Sequence, residues 1–244
     1  MICLSFDTDH VDEARMGEFL DAVPIPGSGT FFCTQRYTHL AALHHELGPH
    51  PTLEAGTDWD AALQEGRELF PEATGWRSHT CIFSHMLALQ LAKLGYVYAT
   101  THDDFGGRSP TPVRAAWGLW QVPIYYMDNL DFSTPRFWPE LGWEPFAPVL
   151  IQRAVEDDRG LYVFDFHPVH LLLNTPSAEY YLDRRERFRD GVSLERLRFD
   201  GYGARNFYDD LVAEMARHER QSFSIAEGVA RFTALTDVPA DVPA

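Results

Sequence analysis

Three things are scarce in this chain: cysteine, positive charge and long apolar runs. The cysteines, Cys3, Cys33 and Cys81, are odd in number and widely spaced, which argues against a disulfide framework or a zinc ribbon. No apolar run reaches the ~18–20 residues that a membrane-spanning helix needs, and the first residues lack the basic start of a signal peptide. We therefore expect a cytoplasmic protein that does not engage a membrane.

The charge of the chain is strongly acidic. Lys and Arg number 20 against 36 Asp and Glu, which gives a formal net charge of −16. Such a surface repels phosphate backbones, so we do not expect nucleic acid as a partner. It favours a small cationic or amino-sugar-like ligand, although acidity can equally serve solubility or salt tolerance. The pattern is compatible with a monomer or an oligomer.

Short apolar strands alternate with amphipathic helices along most of the 244 residues, which is typical of a parallel α/β sheet or barrel. We predict one domain over residues 1–237 and a frayed Pro- and Ala-rich tail over 238–244. The stretch 103–148 interrupts the alternation, since it is rich in Pro, Gly and aromatic residues and contains one obvious strand at 121–126. Long loops of this kind are often lids or binding loops, so we expect it to cover a site.

Two carboxylates follow the first predicted strand, residues 2–6, at the point where it ends. Asp7 and Asp9 stand two residues apart, so in extended backbone their side chains point to the same side. Two buried carboxylates are costly unless a cation or a proton lies between them. The pair therefore indicates metal binding or acid–base chemistry, while the alternative is that Asp7 caps a helix and Asp9 is solvated.

Further polar side chains follow the later predicted strands: His50, Arg77, His79, Asp128 and His167. In parallel sheets and barrels the carboxyl ends of the strands meet at one face, where active sites assemble. Each residue taken singly has a structural alternative, such as a helix cap or a turn. Their shared position relative to successive strands favours one functional site.

The order of these motifs resembles that of the polysaccharide deacetylase superfamily, metal-dependent carbohydrate esterases with a distorted (β/α) barrel, and is most similar to its divergent WbmS-like branch. The resemblance covers residues 1–175 and rests on five segments: Phe6-Asp7-Thr8-Asp9, Gly29-Thr30-Phe31-Phe32, Glu46-Leu47-Gly48-Pro49-His50, Gly75-Trp76-Arg77-Ser78-His79 and Phe164-Asp165-Phe166-His167-Pro168. It implies an α/β fold of the distorted (β/α)-barrel type, with the aromatic 103–148 loop as an insertion.

The resemblance also implies catalytic roles for four residues. Asp7 would act as the general base, and Arg77 would pair with it and hold its orientation. His167 would protonate the leaving amine, and Asp128 would support either His167 or Arg77. Together they would serve a hydrolase that removes an acyl group, most simply acetyl, from an N-acylated amino sugar.

The metal site that the resemblance implies departs from the family pattern at one position. Asp9 and His50 would bind a divalent metal, but the family has a second histidine four residues later, where this chain has Glu54. Either Glu54 replaces that ligand, or His79 supplies it, or the site is weakened. We favour His79, which can share the side of Arg77 in an extended segment. Two imidazoles and one carboxylate suit Zn²⁺.

The aromatic residues of the 103–148 stretch are candidates for a sugar-binding wall, although some will pack in the core. They are Trp117, Trp120, Tyr125, Tyr126, Trp138 and Trp143. We expect Trp120, or Trp117 in its place, and Tyr126 to face the cavity; His170 would be a further substrate contact, or else a core histidine. Two other functions remain compatible with the sequence: a catalytically silent barrel that binds a sugar or acts as a scaffold, and another amide hydrolase on the same fold.

Overall fold

A nearly closed parallel barrel forms the centre of the part of the chain that the computed structural model describes, residues 1–54 and 56–236. The predicted tail, 238–244, lies outside the described residues. The strands of the sheet are β1 (Ile2–Asp7), β2 (Gly29–Cys33), β3 (Glu46–Pro49), β4 (Gly75–Trp76), β5 (Tyr98–Asp103), β6 (Val113–Arg114), β7 (Trp120–Met127), β8 (Tyr162–Phe166) and β9 (Ser222–Phe223). Seven run parallel in the order β3-β2-β1-β8-β7-β5-β4, while β6 pairs antiparallel with β7 and β9 adds to β1. The predicted distorted (β/α) barrel is confirmed.

Among the described strands, the barrel has an open seam between β3 and β4. These strands are not hydrogen-bonded neighbours, yet they lie in contact, because a Cβ atom on Gly48 would come 2.9 Å from the carbonyl oxygen of Gly75. The carboxylate of Glu46 bridges the start of the seam, where it accepts hydrogen bonds from Thr74 Oγ1 (3.1 Å) and Tyr98 Oη (2.9 Å). Side-chain hydrogen bonds thus stand in for part of the missing backbone ladder.

The described helices connect the strands and surround the barrel: α1 (Glu13–Ala22), α2 (Thr38–Ala41), α3 (Trp59–Leu69), α4 (His85–Lys93), α5 (Asp128–Phe137), α6 (Pro148–Glu156), α7 (Pro168–Leu173), α8 (Ala178–Arg189), α9 (Ala204–Arg217) and α10 (Ile225–Thr236). Asp12, Asp58 and Ser84 cap α1, α3 and α4, since each side chain accepts a hydrogen bond from a backbone N–H of the first turn, as N-cap residues do. No helix among the described residues combines the length and the apolar character needed to cross a membrane.

The alternation of side chains along β1 and β8 decides which residues enter the barrel. Both strands are buried along their whole length. Phe6 and Phe166 pack against aromatic rings of the surrounding helices α1 and α9. Because successive side chains in a barrel strand point to opposite faces, their neighbours Ser5, Asp7 and Asp165 point into the barrel. Phe6 and Phe166 therefore pack between the barrel and the helices, whereas Ser5, Asp7 and Asp165 converge inside the barrel.

Candidate active site

Polar side chains gather at the carboxyl end of the barrel, around a cavity of about 410 Å³. Asp7 ends β1, His50 follows β3, Arg77 follows β4 and His167 follows β8, and all four are buried. The strand-end placement expected from the sequence therefore brings these side chains to one place. Asp7, His50 and His167 line the cavity itself.

The side chains of Asp9, His50 and His79 form a group that fits a divalent metal ion. Their donor atoms all lie within 4.8 Å of one another: His50 Nε2 is 3.0 Å from Asp9 Oδ2, and His79 Nδ1 is 3.3 Å from Asp9 Oδ1. His50 Nδ1 lies 3.2 Å from the carbonyl oxygen of Arg77, which leaves Nε2 free to bind a metal. Two imidazoles and a carboxylate suit Zn²⁺ or a similar ion. Glu54, the alternative ligand, is exposed and lies outside this group.

The two histidines of this group come from opposite sides of the seam. The backbone N–H of His79 donates to the carbonyl oxygen of Pro51, just beyond β3 (3.0 Å). This hydrogen bond holds His79 close to His50. Burial alone would raise the pKa of Asp9, but its hydrogen bonds with His50 and His79 hold that pKa well below the usual range for a carboxyl. Asp9 is therefore an anion, the form in which a carboxylate binds metal.

Beside this group, Asp7 forms an ion pair with the completely buried guanidinium of Arg77. Arg77 Nη1 lies 2.8 Å from Asp7 Oδ1, while the other carboxylate oxygen, Oδ2, lies 3.6 Å from His50 Nε2. Burial opposes the charge of Arg77, but the carboxylates of Asp165 and Asp7 raise its pKa above the usual value. The guanidinium therefore stays charged next to Asp7. The role of Asp7 as general base stays a prediction.

Asp165, for which the sequence predicted no role, belongs to the same cluster. Its carboxylate contacts Arg77 Nη1 and accepts a hydrogen bond from Ser5 Oγ (2.6 Å). Burial raises the pKa of Asp165, and the charge of Arg77 opposes the rise. A signal was present in the sequence, since an aspartate inside an apolar strand, two residues before His167, shares its side of the backbone.

Asp128 holds His167 through two contacts. It is the first residue of α5, directly after β7, and its carboxylate lies 2.7 Å from His167 Nδ1 and accepts from the His167 backbone N–H (2.9 Å). Burial would lower the pKa of His167, but Asp128 raises it to about 10. The imidazole is therefore charged at neutral pH, with Nε2 placed 3.4 Å from Asn129 Nδ2 and 3.9 Å from Asp9 Oδ2. A charged imidazole in this position can supply a proton.

Three predicted substrate contacts, Trp120, Tyr126 and His170, are not among the residues that line the cavity. Trp120 packs in the core against Phe232 of α10, and Tyr126 is fully buried, with its hydroxyl donating to Asp131 (3.1 Å). His170 is only 4% exposed, and burial lowers its pKa to about 3. Their burial does not favour contact with a substrate, which stays a prediction for all three side chains; the position of His170 agrees with the alternative interpretation as a core histidine.

The aromatic part of the cavity comes instead from the end of α5. Phe137 and Trp138 line the cavity and are 60% and 48% exposed, respectively. The stretch 103–148 thus contributes to the cavity, mainly through α5 and the residue after it, and also through Asp103 and Met127. Trp138 was one of the predicted wall residues, whereas Phe137 and Asn129 were not. Their neighbourhood to Asp128 in the chain was the available signal.

Comparison with known proteins places this geometry in a family context. The profile of the WbmS-like polysaccharide deacetylase family matches residues 4–185. The chain is similar to a solved structure from Bordetella bronchiseptica, described as a polysaccharide deacetylase involved in O-antigen biosynthesis, with 25% identity and a TM-score of 0.73 over 87% of this chain and 89% of that one. No protein of curated function matches the chain significantly.

Two more distant structures share the fold. One, from Mycobacterium smegmatis, is described as a polysaccharide deacetylase and is 17% identical, with a TM-score of 0.59 over 100% of this chain and 93% of that one. The other is a 4-alpha-glucanotransferase from Thermococcus litoralis, 12% identical, with a TM-score of 0.52 over 95% of this chain and 38% of that one. At these identities the likeness concerns the barrel alone.

Proposed function

This chain belongs to the WbmS-like polysaccharide deacetylase family, and from that premise we propose that it is a metal-dependent hydrolase. It would remove an acyl group, most simply acetyl, from an N-acylated amino sugar or a related small molecule, in the cytoplasm. One observation carries the proposal. The donor group of Asp9, His50 and His79 adjoins a single cavity whose lining also includes Asp7 and His167, so a metal site, a base and an acid would meet at one substrate.

The chemistry follows from the positions of these groups. A divalent ion held by Asp9, His50 and His79 would supply Lewis acidity, which lowers the pKa of a water molecule and polarises an amide carbonyl. Asp7 would accept a proton from the attacking water through Oδ2, the oxygen that faces His50. His167 would donate its Nε2 proton to the departing amine, which is a poor leaving group without one.

An exposed aromatic rim supports a sugar as the substrate. Phe137 and Trp138 line the cavity with exposed aromatic side chains, and ligand pockets commonly combine aromatic side chains with a few polar groups that fix orientation. Asn129 and Asp103, which also line the cavity, would bind hydroxyl groups of the sugar. The volume of about 410 Å³ suits a small ligand within the usual range of pockets.

The proposal is tested by metal analysis followed by an activity screen. We expect the purified chain to contain one divalent transition metal per molecule and to release acetate from at least one N-acetyl amino sugar. A chelator should abolish hydrolysis, and added Zn²⁺ should restore it. A chain that binds metal yet releases no acyl group from any sugar would favour the silent sugar-binding barrel. Full activity after complete metal removal would contradict metal dependence.

We expect Trp138→Ala to raise the KM for the sugar by ~3–10-fold while kcat changes little, because an aromatic contact contributes ~0.5–1.5 kcal/mol beyond the area it buries. Steady-state kinetics on the best substrate of the screen measure this. Leu141→Ala is the control, since Leu141 is also exposed and close in sequence but does not line the cavity. An unchanged KM for Trp138→Ala would place the sugar elsewhere.

A further inference from the structure

The guanidinium of Arg77 is held on every edge inside the barrel. Nε donates to the carbonyl oxygen of Thr100 (3.1 Å), and Nη2 donates to Ser5 Oγ (3.2 Å) and Thr100 Oγ1 (3.1 Å). Nη1 is shared between two carboxylates, because it contacts Oδ1 of both Asp7 and Asp165. The orientation of Arg77 is therefore determined by residues of three strands, β1, β5 and β8.

In this arrangement Arg77 makes fewer hydrogen bonds to Asp7 than an arginine commonly makes to a carboxylate. An arginine and a carboxylate commonly form two parallel hydrogen bonds, which occupy both carboxylate oxygens. Here Arg77 reaches only Oδ1 of Asp7. Oδ2 accepts no hydrogen bond from the described residues; its nearest ionic contact there is His50 Nε2, 3.6 Å away. One oxygen of Asp7 thus stays open on the side of the metal donor group.

Asp165 is the residue that can account for the single contact. Its carboxyl group is the second acceptor on Nη1, and Ser5 Oγ donates to the same oxygen, Oδ1 (2.6 Å). It has no exposed surface and does not line the cavity, so it cannot touch a substrate. Its Oδ2 has no hydrogen-bond partner among the described residues, so its side-chain hydrogen bonds there are those with Arg77 and Ser5.

We propose that Asp165 is a positioning residue of this site: by sharing Nη1 of Arg77 it holds the guanidinium where it reaches one oxygen of Asp7 and leaves the other open to the reacting water. This inference rests on the proposed function, in which Asp7 takes a proton from that water. Without the charge of Asp165, Arg77 turns towards Asp7 and forms the two-bonded pair, and Oδ2 is no longer available.

The test is Asp165→Asn, which keeps the shape of the side chain and removes its charge. We expect a fall in kcat of ~10–100-fold, since a misplaced catalytic group costs up to ~10²-fold, with KM and metal content unchanged. In an Asp7→Asn background the same substitution should cause no further loss, because residues that act as one unit are not additive. A crystal structure of Asp165→Asn should show Arg77 bonded to both oxygens of Asp7.

Asp157→Asn is the control, because Asp157 is a partly buried aspartate that accepts hydrogen bonds from Ser109 and Tyr162 but precedes β8, whereas Asp165 lies near the carboxyl end of that strand. It should keep full activity. Should Asp165→Asn fold poorly, Ser5→Ala removes the hydrogen bond that fixes Asp165 and should lower kcat in the same direction.

Three results would overturn the role of Asp165: wild-type kcat in Asp165→Asn, a loss that adds fully to that of Asp7→Asn, or a crystal structure in which Arg77 keeps its single contact with Asp7. A wild-type chain that hydrolyses no N-acyl sugar would overturn the proposed function instead. The crystal structure of the variant decides the orientation of Arg77 in that case as well.

Discussion

Replacing Asp9 with alanine is expected to leave the purified chain without bound metal and without hydrolytic activity. Its two carboxylate oxygens each approach one imidazole, Oδ2 that of His50 and Oδ1 that of His79, so its loss removes the only anion from the donor group.

Asp7→Asn should behave differently from Asp9→Ala. It should retain the metal and lower kcat by at least ~10²-fold, because a general base contributes ~10²–10⁴-fold and an amide cannot take up the proton.

Metal content by elemental analysis and kcat from the same preparations separate these two effects. The matched control is again Asp157→Asn, remote from the cavity. Loss of metal in Asp7→Asn would make Asp7 a ligand and not a base. Full activity in Asp7→Asn would assign the base to another group, and retained metal in Asp9→Ala would move the metal site away from Asp9.

Replacing His167 with alanine is expected to lower kcat by ~10²–10⁴-fold, the usual contribution of a positioned acid, with metal still bound.

The pH dependence of the activity provides a more specific test of His167. Asp128 raises the pKa of His167 to about 10, so the acid is present at neutral pH and activity should fall only as pH rises through about 10. In Asp128→Asn burial still lowers the pKa of His167 and the largest of the raising charges is gone, while Asp165 and Asp7 remain, so the alkaline limb of the pH profile should move to lower pH.

The same ionisation affects stability with a defined sign. Because the pKa of His167 in the folded chain lies above the ordinary ~6.5, its charging stabilises the fold fully below pH ~6.5, and this contribution is lost as pH rises through about 10. Thermal unfolding of wild type and Asp128→Asn at several pH values measures it. An exposed histidine, His39 on α2, provides the control variant His39→Ala. In the pH–activity profile, by contrast, an alkaline limb that stays at the same pH in Asp128→Asn would contradict the assignment of His167 as acid.

The barrel was predictable from local sequence because its strands are short apolar runs that end in polar residues. Residues 160–166 are the clearest case: β8 is buried throughout, and the chain turns polar at His167. Since the carboxyl ends of parallel strands meet at one face, the convergence of Asp7, His50 and His167 followed from their positions in the chain. Their catalytic roles remain predictions.

The features that the sequence did not indicate depend on neighbours distant in sequence. Asp165 looks like one polar residue in an apolar strand, and its contact with Arg77 arises only because β8 lies beside β1 inside a barrel. The helix α5 contains Pro135 and several residues of low helix propensity, so its sequence argued for a loop, and only its packing makes it helical. The direction of Trp120 and Tyr126 depends on which face of β7 meets other core elements.

The seam between β3 and β4 would give the candidate metal ligands a structural role beside the proposed catalytic one. His50 continues β3 and His79 follows β4, so these donors sit on the two margins of the sheet that do not pair as strands. An ion bound by both would add a coordinate link between two margins that are otherwise joined by a few hydrogen bonds, and it would close the sheet into a complete barrel. Because such an ion binds the folded chain and not the unfolded one, it would also stabilise the fold. Loss of the ion would then weaken the barrel at the seam, where the fewest hydrogen bonds join its strands. Both the catalytic activity and the closure of the barrel would therefore depend on one bound ion.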